Sequence, residues 1–137
     1  MNMKNGQPEV VMYEGLVVSE PMAAARLVAQ EFKFVTLGFD YPHHAAKALS
    51  TDTDAVVTIL NPFDLNAPEI SPDIVDFLEK VHELKVPVAY LSDHLDAEDQ
   101  SRPENGDIVI PWESQLNVGL SLRPWLGNIA SKARARF

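Results

Sequence analysis

Cysteine is absent from this chain of 137 residues, and glycine occurs only 6 times. Without cysteine there is no disulfide framework, no thiolate nucleophile and no sulfur-ligated metal. No glycine-rich loop of the kind that cradles phosphate follows an apolar stretch, which argues against a nucleotide fold. Basic residues are also few: 11 Lys and Arg stand against 20 Asp and Glu, a formal net charge of −9. Such a surface repels a phosphate backbone, so nucleic acid is not expected as a partner. The short basic end, Lys132, Arg134 and Arg136, is too small to reverse that field. No apolar run reaches the roughly 18 residues that a membrane helix needs, and the opening residues (MNMKNGQPE) carry no apolar signal core. No membrane partner is expected, and the expected location is the cytoplasm.

What remains is an ordinary globular composition, 46% hydrophobic and 23% charged, enough for one domain with its own core. The expectation is a single domain over 1–137, with a flexible start at 1–9 and a tail at 134–137. Its centre is Asp54 to Pro62, DAVVTILNP. Ala55 to Leu60 is uncharged, without polar alternation and rich in β-branched residues, the habit of a central strand covered on both faces. Pro62 cannot donate to a ladder and closes it.

The other elements arrange themselves around that strand. Val10 to Tyr13 reads as edge pairing or a lead-in, and Gly15 to Val18 as the first strand, closed by Ser19-Glu20-Pro21 with Pro21 in the first turn of a helix. Met22 to Phe32 has helical spacing, Phe34 to Gly38 reads as a strand, and Tyr41-Pro42 opens a short helix through Leu49. Ser71 caps a third helix, with Pro72 in its first position. Ile74, Phe77, Leu78, Val81 and Leu84 form its apolar stripe. Val86 to Leu91 is the fourth strand signal, and Ile108 to Ile110, ended by Pro111, is the fifth. Between them, Ser92 to Asp107 is acidic and turn-rich. Leu116 to Arg136 reads as a loop into a final helix around Pro124. Strands alternating with helices predict an α/β fold: a doubly wound, five-stranded parallel sheet in a flavodoxin-like three-layer sandwich.

In such folds a site lies at the carboxyl ends of the strands. Along that rim VVSEP, DAVVTILNP, VPVAYLSD and DIVIPW, in this order and spacing, resemble the receiver domain of two-component response regulators. The resemblance spans Leu16 to Ala133 and implies a receiver-type sandwich. It also implies an acidic pair after the first strand, a phosphate-accepting aspartate after the third, a hydroxyl after the fourth and a lysine before the fifth-strand proline. Here those places hold Ser19 and Glu20, Thr58 or Ile59, Ser92, and Ile110. One Glu cannot replace the oxygen ligands that Mg²⁺ requires. Neither Thr58 nor Ile59 is a carboxylate nucleophile, and Ile110 has no charge to balance a phosphoryl group. The expected form is therefore a degenerate receiver, a pseudo-receiver, with no catalytic residue, metal or cofactor.

Other residues carry plainer readings. Glu20 suits a helix N-terminus, Ser92 a turn cap, and Asn61 the turn before Pro62. His43 and His44 are adjacent on a helix, where neighbours do not share a side, so they are expected as surface histidines. Serines lack the elbow context of a hydrolase. The resemblance places partner contacts around the last strand, which directs attention to Tyr90 and Trp112, with Trp112 partly exposed and Trp125 mostly buried. The favoured function is a signalling module, not an enzyme. It would act by contact with a protein partner, such as a signalling protein or histidine kinase, with a homodimer as one arrangement. Two other readings stand beside it: a small-molecule-binding or catalytic flavodoxin-like domain using Ser19, Glu20, Asn61 and Ser92, and the N-terminal receiver of a larger regulator.

Overall fold

A computed structural model describes residues 7–15, 20–59, 72–92, 106–111 and 115–134, and among them are five strands and four helices. In order they are β1 (Glu9–Tyr13), α1 (Glu20–Glu31), β2 (Val35–Phe39), α2 (Pro42–Ala48), β3 (Ala55–Thr58), α3 (Pro72–Glu83), β4 (Val88–Ser92), β5 (Ile108–Pro111) and α4 (Gln115–Arg134). All neighbouring strands pair parallel, in the order β2-β1-β3-β4-β5. This is the expected doubly wound, flavodoxin-like α/β sandwich.

The two faces of the sheet follow from side-chain alternation. Val10, Met12, Ala55, Val57, Ala89, Leu91 and Ile110 pack with α1 and α4. Val11, Tyr13, Val56, Val88, Tyr90 and Val109 pack with α2 and α3 around Phe77. Val56 and Val57 are both fully buried on opposite faces, which is why β3 has no polar alternation.

The first strand is where the sequence expectation is corrected. β1 is Glu9–Tyr13, and it lies inside the sheet between β2 and β3. Val10, Val11 and Met12 are fully buried, so this apolar run is a core strand and not a lead-in. Its register is pinned at the start: Asp54 Oδ2 accepts from the Glu9 amide at 2.8 Å, and the Asp54 amide donates to the Glu9 carbonyl at 2.9 Å. Gly15, with φ of 73°, turns the chain where the sequence had suggested a strand beginning. Residues 16–18 of that suggested strand, and the Ser71 cap, lie outside the described residues.

Two helices stop in the same way. After α1, Lys33 takes φ of 61° while the Phe34 amide donates back to Ala29; after α3, Lys85 takes φ of 58° while the Val86 amide donates back to Val81. Each is a left-handed cap that satisfies terminal carbonyls, here with lysine in the place glycine usually fills. At the other end of the fold α4 runs through Pro124 without stopping. A proline there removes the bond to the Leu120 carbonyl. Leu120 is 62% exposed, so water can serve that carbonyl, while Val118, Leu122, Leu126 and Ala130 keep the helix docked.

Candidate functional site

The carboxyl edge of the sheet is formed by the ends of β1, β3 and β4 with β5 beside them. Register brings the corner residues together: Tyr13 is opposite Thr58, Thr58 opposite Tyr90, and Leu91 opposite Ile110. Thr58 is fully buried, and its hydroxyl donates to the Tyr13 carbonyl at 3.3 Å. Ile110 is 3% exposed and belongs to the core facing α1 and α4. Ile59 is half-buried and packs on that same core. It lies against the β1 turn so closely that a Cβ on Gly15 would stand 3.4 Å from Ile59 Cδ1. Alkyl groups and a satisfied hydroxyl thus occupy these positions.

Because β1 ends at Tyr13, the residue following it is Glu14 and not Ser19 or Glu20. Glu14 continues the alternation of Val10 and Met12 and so projects toward α1, where Arg26 donates to its carboxylate. The side chain crosses β2 at Gly38, where an added Cβ would come within 2.7 Å of Glu14 Oε2. Glu14 and Arg26 were missed in the sequence reading. Their signal was there: an acid directly after four apolar residues and directly before a glycine turn. A carboxylate engaged by a guanidinium is a poor base and a poor lone ligand for Mg²⁺, which needs several oxygens.

The remaining expected residues fall as follows. Glu20 opens α1 and is exposed, in keeping with a carboxylate at a helix start. Ser92 ends β4 opposite Pro111. Ser19, Asn61, Trp112 and the side chain of Ser92 lie outside the described residues. Tyr90 must be corrected as a surface residue: it is 4% exposed and packed with Val88 and Phe77, because it points to the face of the sheet that α2 and α3 cover. Trp125 is half-buried, with its indole N–H donated to the Gly106 carbonyl at 2.9 Å. His43 and His44 are both exposed, yet their rings touch, with centroids 4.2 Å apart and both against Tyr41. The helix begins only at Pro42, and Tyr41 gives both rings a surface to lean on. No group of three metal-ligating side chains occurs among the described residues.

Among the described residues a sizeable cavity lies at the opposite, amino edge of the sheet. A cleft of about 430 Å³ opens between the end of α3, the residues leading into β3 and the last turns of α4. Lys85, Lys132, Trp125, Asn128, Ile129 and Asp54 are among the residues that line it. Beside it, Asp107 accepts from the Val88 amide at 2.8 Å, and His82 Nε2 is 3.8 Å from its other oxygen. Asp54 and Asp107 thus play the same part, each a buried carboxylate holding the first amide of a strand.

Set against known proteins, the chain matches no family model and no curated protein.

Proposed function

We propose that this protein is a pseudo-receiver, a signalling module that works by contact with a protein partner and carries no aspartyl phosphorylation. The observation that supports the reading best is the state of the rim. Thr58 and Ile110 are buried in the core and Ile59 is packed upon it, at the places where the receiver resemblance calls for an acceptor carboxylate and a lysine. The strand order β2-β1-β3-β4-β5 is compatible with the same resemblance. The carboxylate that directly follows β1, Glu14, is paired with Arg26 and faces α1, so it offers neither a nucleophile at the corner nor a ligand set for Mg²⁺.

A module of this kind has surface and not chemistry to offer. Among the described residues the large apolar side chains left in solvent are Leu27 on α1, Leu120 on α4 and Tyr41 before α2. Incubation with acetyl phosphate and Mg²⁺, followed by intact-mass measurement, tests the reading. The mass is expected to stay unchanged; a hydroxylamine-labile phosphoryl adduct would overturn it.

A further inference from the structure

The amino-edge cleft is not explained by the rim or by the packing of the sheet. Its volume, about 430 Å³, lies in the range of small-molecule pockets, roughly 300–1,000 Å³. Its wall mixes apolar and polar groups: Ile129 and the Trp125 ring with Asn128 and two lysines. The Trp125 indole N–H is already bound to the Gly106 carbonyl, so the ring is held in place and presents hydrocarbon without an unmet donor.

The charges decide the ligand. In a chain with 20 acidic and 11 basic residues, two of the three charged residues that line this cleft among the described residues are lysines. Lys85 and Lys132 are exposed, so their ammonium groups can reach a ligand at the mouth. The one acid among those described residues, Asp54, is 8% exposed and its Oδ2 accepts from the Glu9 amide. The carbonyls at the end of α3, which would repel an anion, are met by the Lys85 and Val86 amides donating to His82 and Val81. Lysine at a helix end is favourable for the helix itself. That accounts for each lysine singly, but not for their joining an apolar wall and an amide around one cavity.

We infer that this cleft binds a small amphipathic organic anion, an apolar ring system bearing one anionic group. The ring lies against Trp125 and Ile129, and the anion pairs with Lys85 and Lys132. The test uses the full chain with Trp112→Phe, which leaves Trp125 as the one remaining tryptophan emitter. Anilinonaphthalenesulfonate is the probe and uncharged phenylnaphthylamine its control. Saturable one-to-one binding with quenching of Trp125 is expected. Lys85→Gln combined with Lys132→Gln weakens it about tenfold or more, as does removing the probe's charge. Leu27→Asp with Leu120→Asp, exposed positions on α1 and α4 that do not line the cleft, leaves it unchanged. The inference is overturned if there is no saturable quenching, if the lysine variant binds as before with its thermal unfolding intact, or if the leucine variant abolishes binding.

Discussion

Thr58 donates its hydroxyl to the Tyr13 carbonyl at 3.3 Å, inside the sheet, where β3 and β1 run side by side. Position 58 is therefore a structural polar site with no solvent access. A carboxylate placed there would be buried between Tyr13 and Tyr90, its register neighbours in the sheet. Thr58→Asp is expected to cost about 3 kcal/mol or more, the scale of an uncompensated buried charge. Thr58→Val, which removes the hydroxyl and adds no charge, costs about 1 kcal/mol. Urea unfolding of the two variants checks the order; equal stabilities would show that position 58 opens to water.

The Glu14–Arg26 pair can be examined through the glycine that its carboxylate crosses, Gly38. Alanine at Gly38 pushes a Cβ against Glu14 Oε2 and forces the carboxylate away from Arg26. Gly38→Ala is expected to destabilise by about 1 kcal/mol, and by clearly less in a Glu14→Ala background. Additive effects in that double-mutant cycle would place the strain elsewhere.

Tyr13 gives the fold an alkaline limit. Burial pushes its phenol above the ordinary 10.0, and its ring packs 6.0 Å from that of Phe77. The folded state holds the proton more tightly than the unfolded chain does. This contribution is fully present below the ordinary value and is lost as pH rises through the raised one. In Tyr13→Phe the fall in stability above about pH 10 is expected to flatten. Denaturant titrations across that range provide the measurement.

On the acid side the marker is Glu31. Arg123 holds it in a two-pronged contact, both N–O distances 3.0 Å, and keeps its carboxyl below the ordinary 4.5. The pairing favours the folded state above that value and ceases to do so as pH falls through the lowered one. Both side chains are 46% exposed, so water screens the pair and the effect on stability is small. In an NMR titration, Arg123→Met is expected to return the Glu31 carboxyl toward its ordinary range.

Much of this fold was legible in the sequence, and what was missed has a common cause. β3 and α3 announced themselves through a run buried on both faces and a stripe ending at Val81 and Leu84. β1 was placed one segment late because GLVV followed by Ser-Glu-Pro carries a better local helix-start signal than VVMY followed by Glu-Gly. What selects VVMY is non-local: pairing on both sides and the Asp54 carboxylate on the Glu9 amide. That slip hid Glu14 and Arg26. The inward turn of Tyr90 is likewise set by a non-local neighbour, Phe77 of α3, while the contact of the two histidine rings depends on the Tyr41 ring just before the helix. The lysine caps were missed because glycine is the usual sign. Lys33→Gly should therefore stabilise the protein, by about 0.5–1 kcal/mol once its greater chain entropy is offset, and thermal unfolding would detect it.

The central claim is the proposal that the corner of Thr58, Ile59 and Ile110, two of them buried and one packed on the core, takes up no phosphoryl group with its metal. Amide NMR spectra recorded while Mg²⁺ and beryllofluoride are added examine that corner directly. The account predicts no saturating shifts at Glu14, Gly15, Thr58, Ile59 or Ile110. Saturable shifts confined to those residues, abolished by Glu14→Gln, would contradict it.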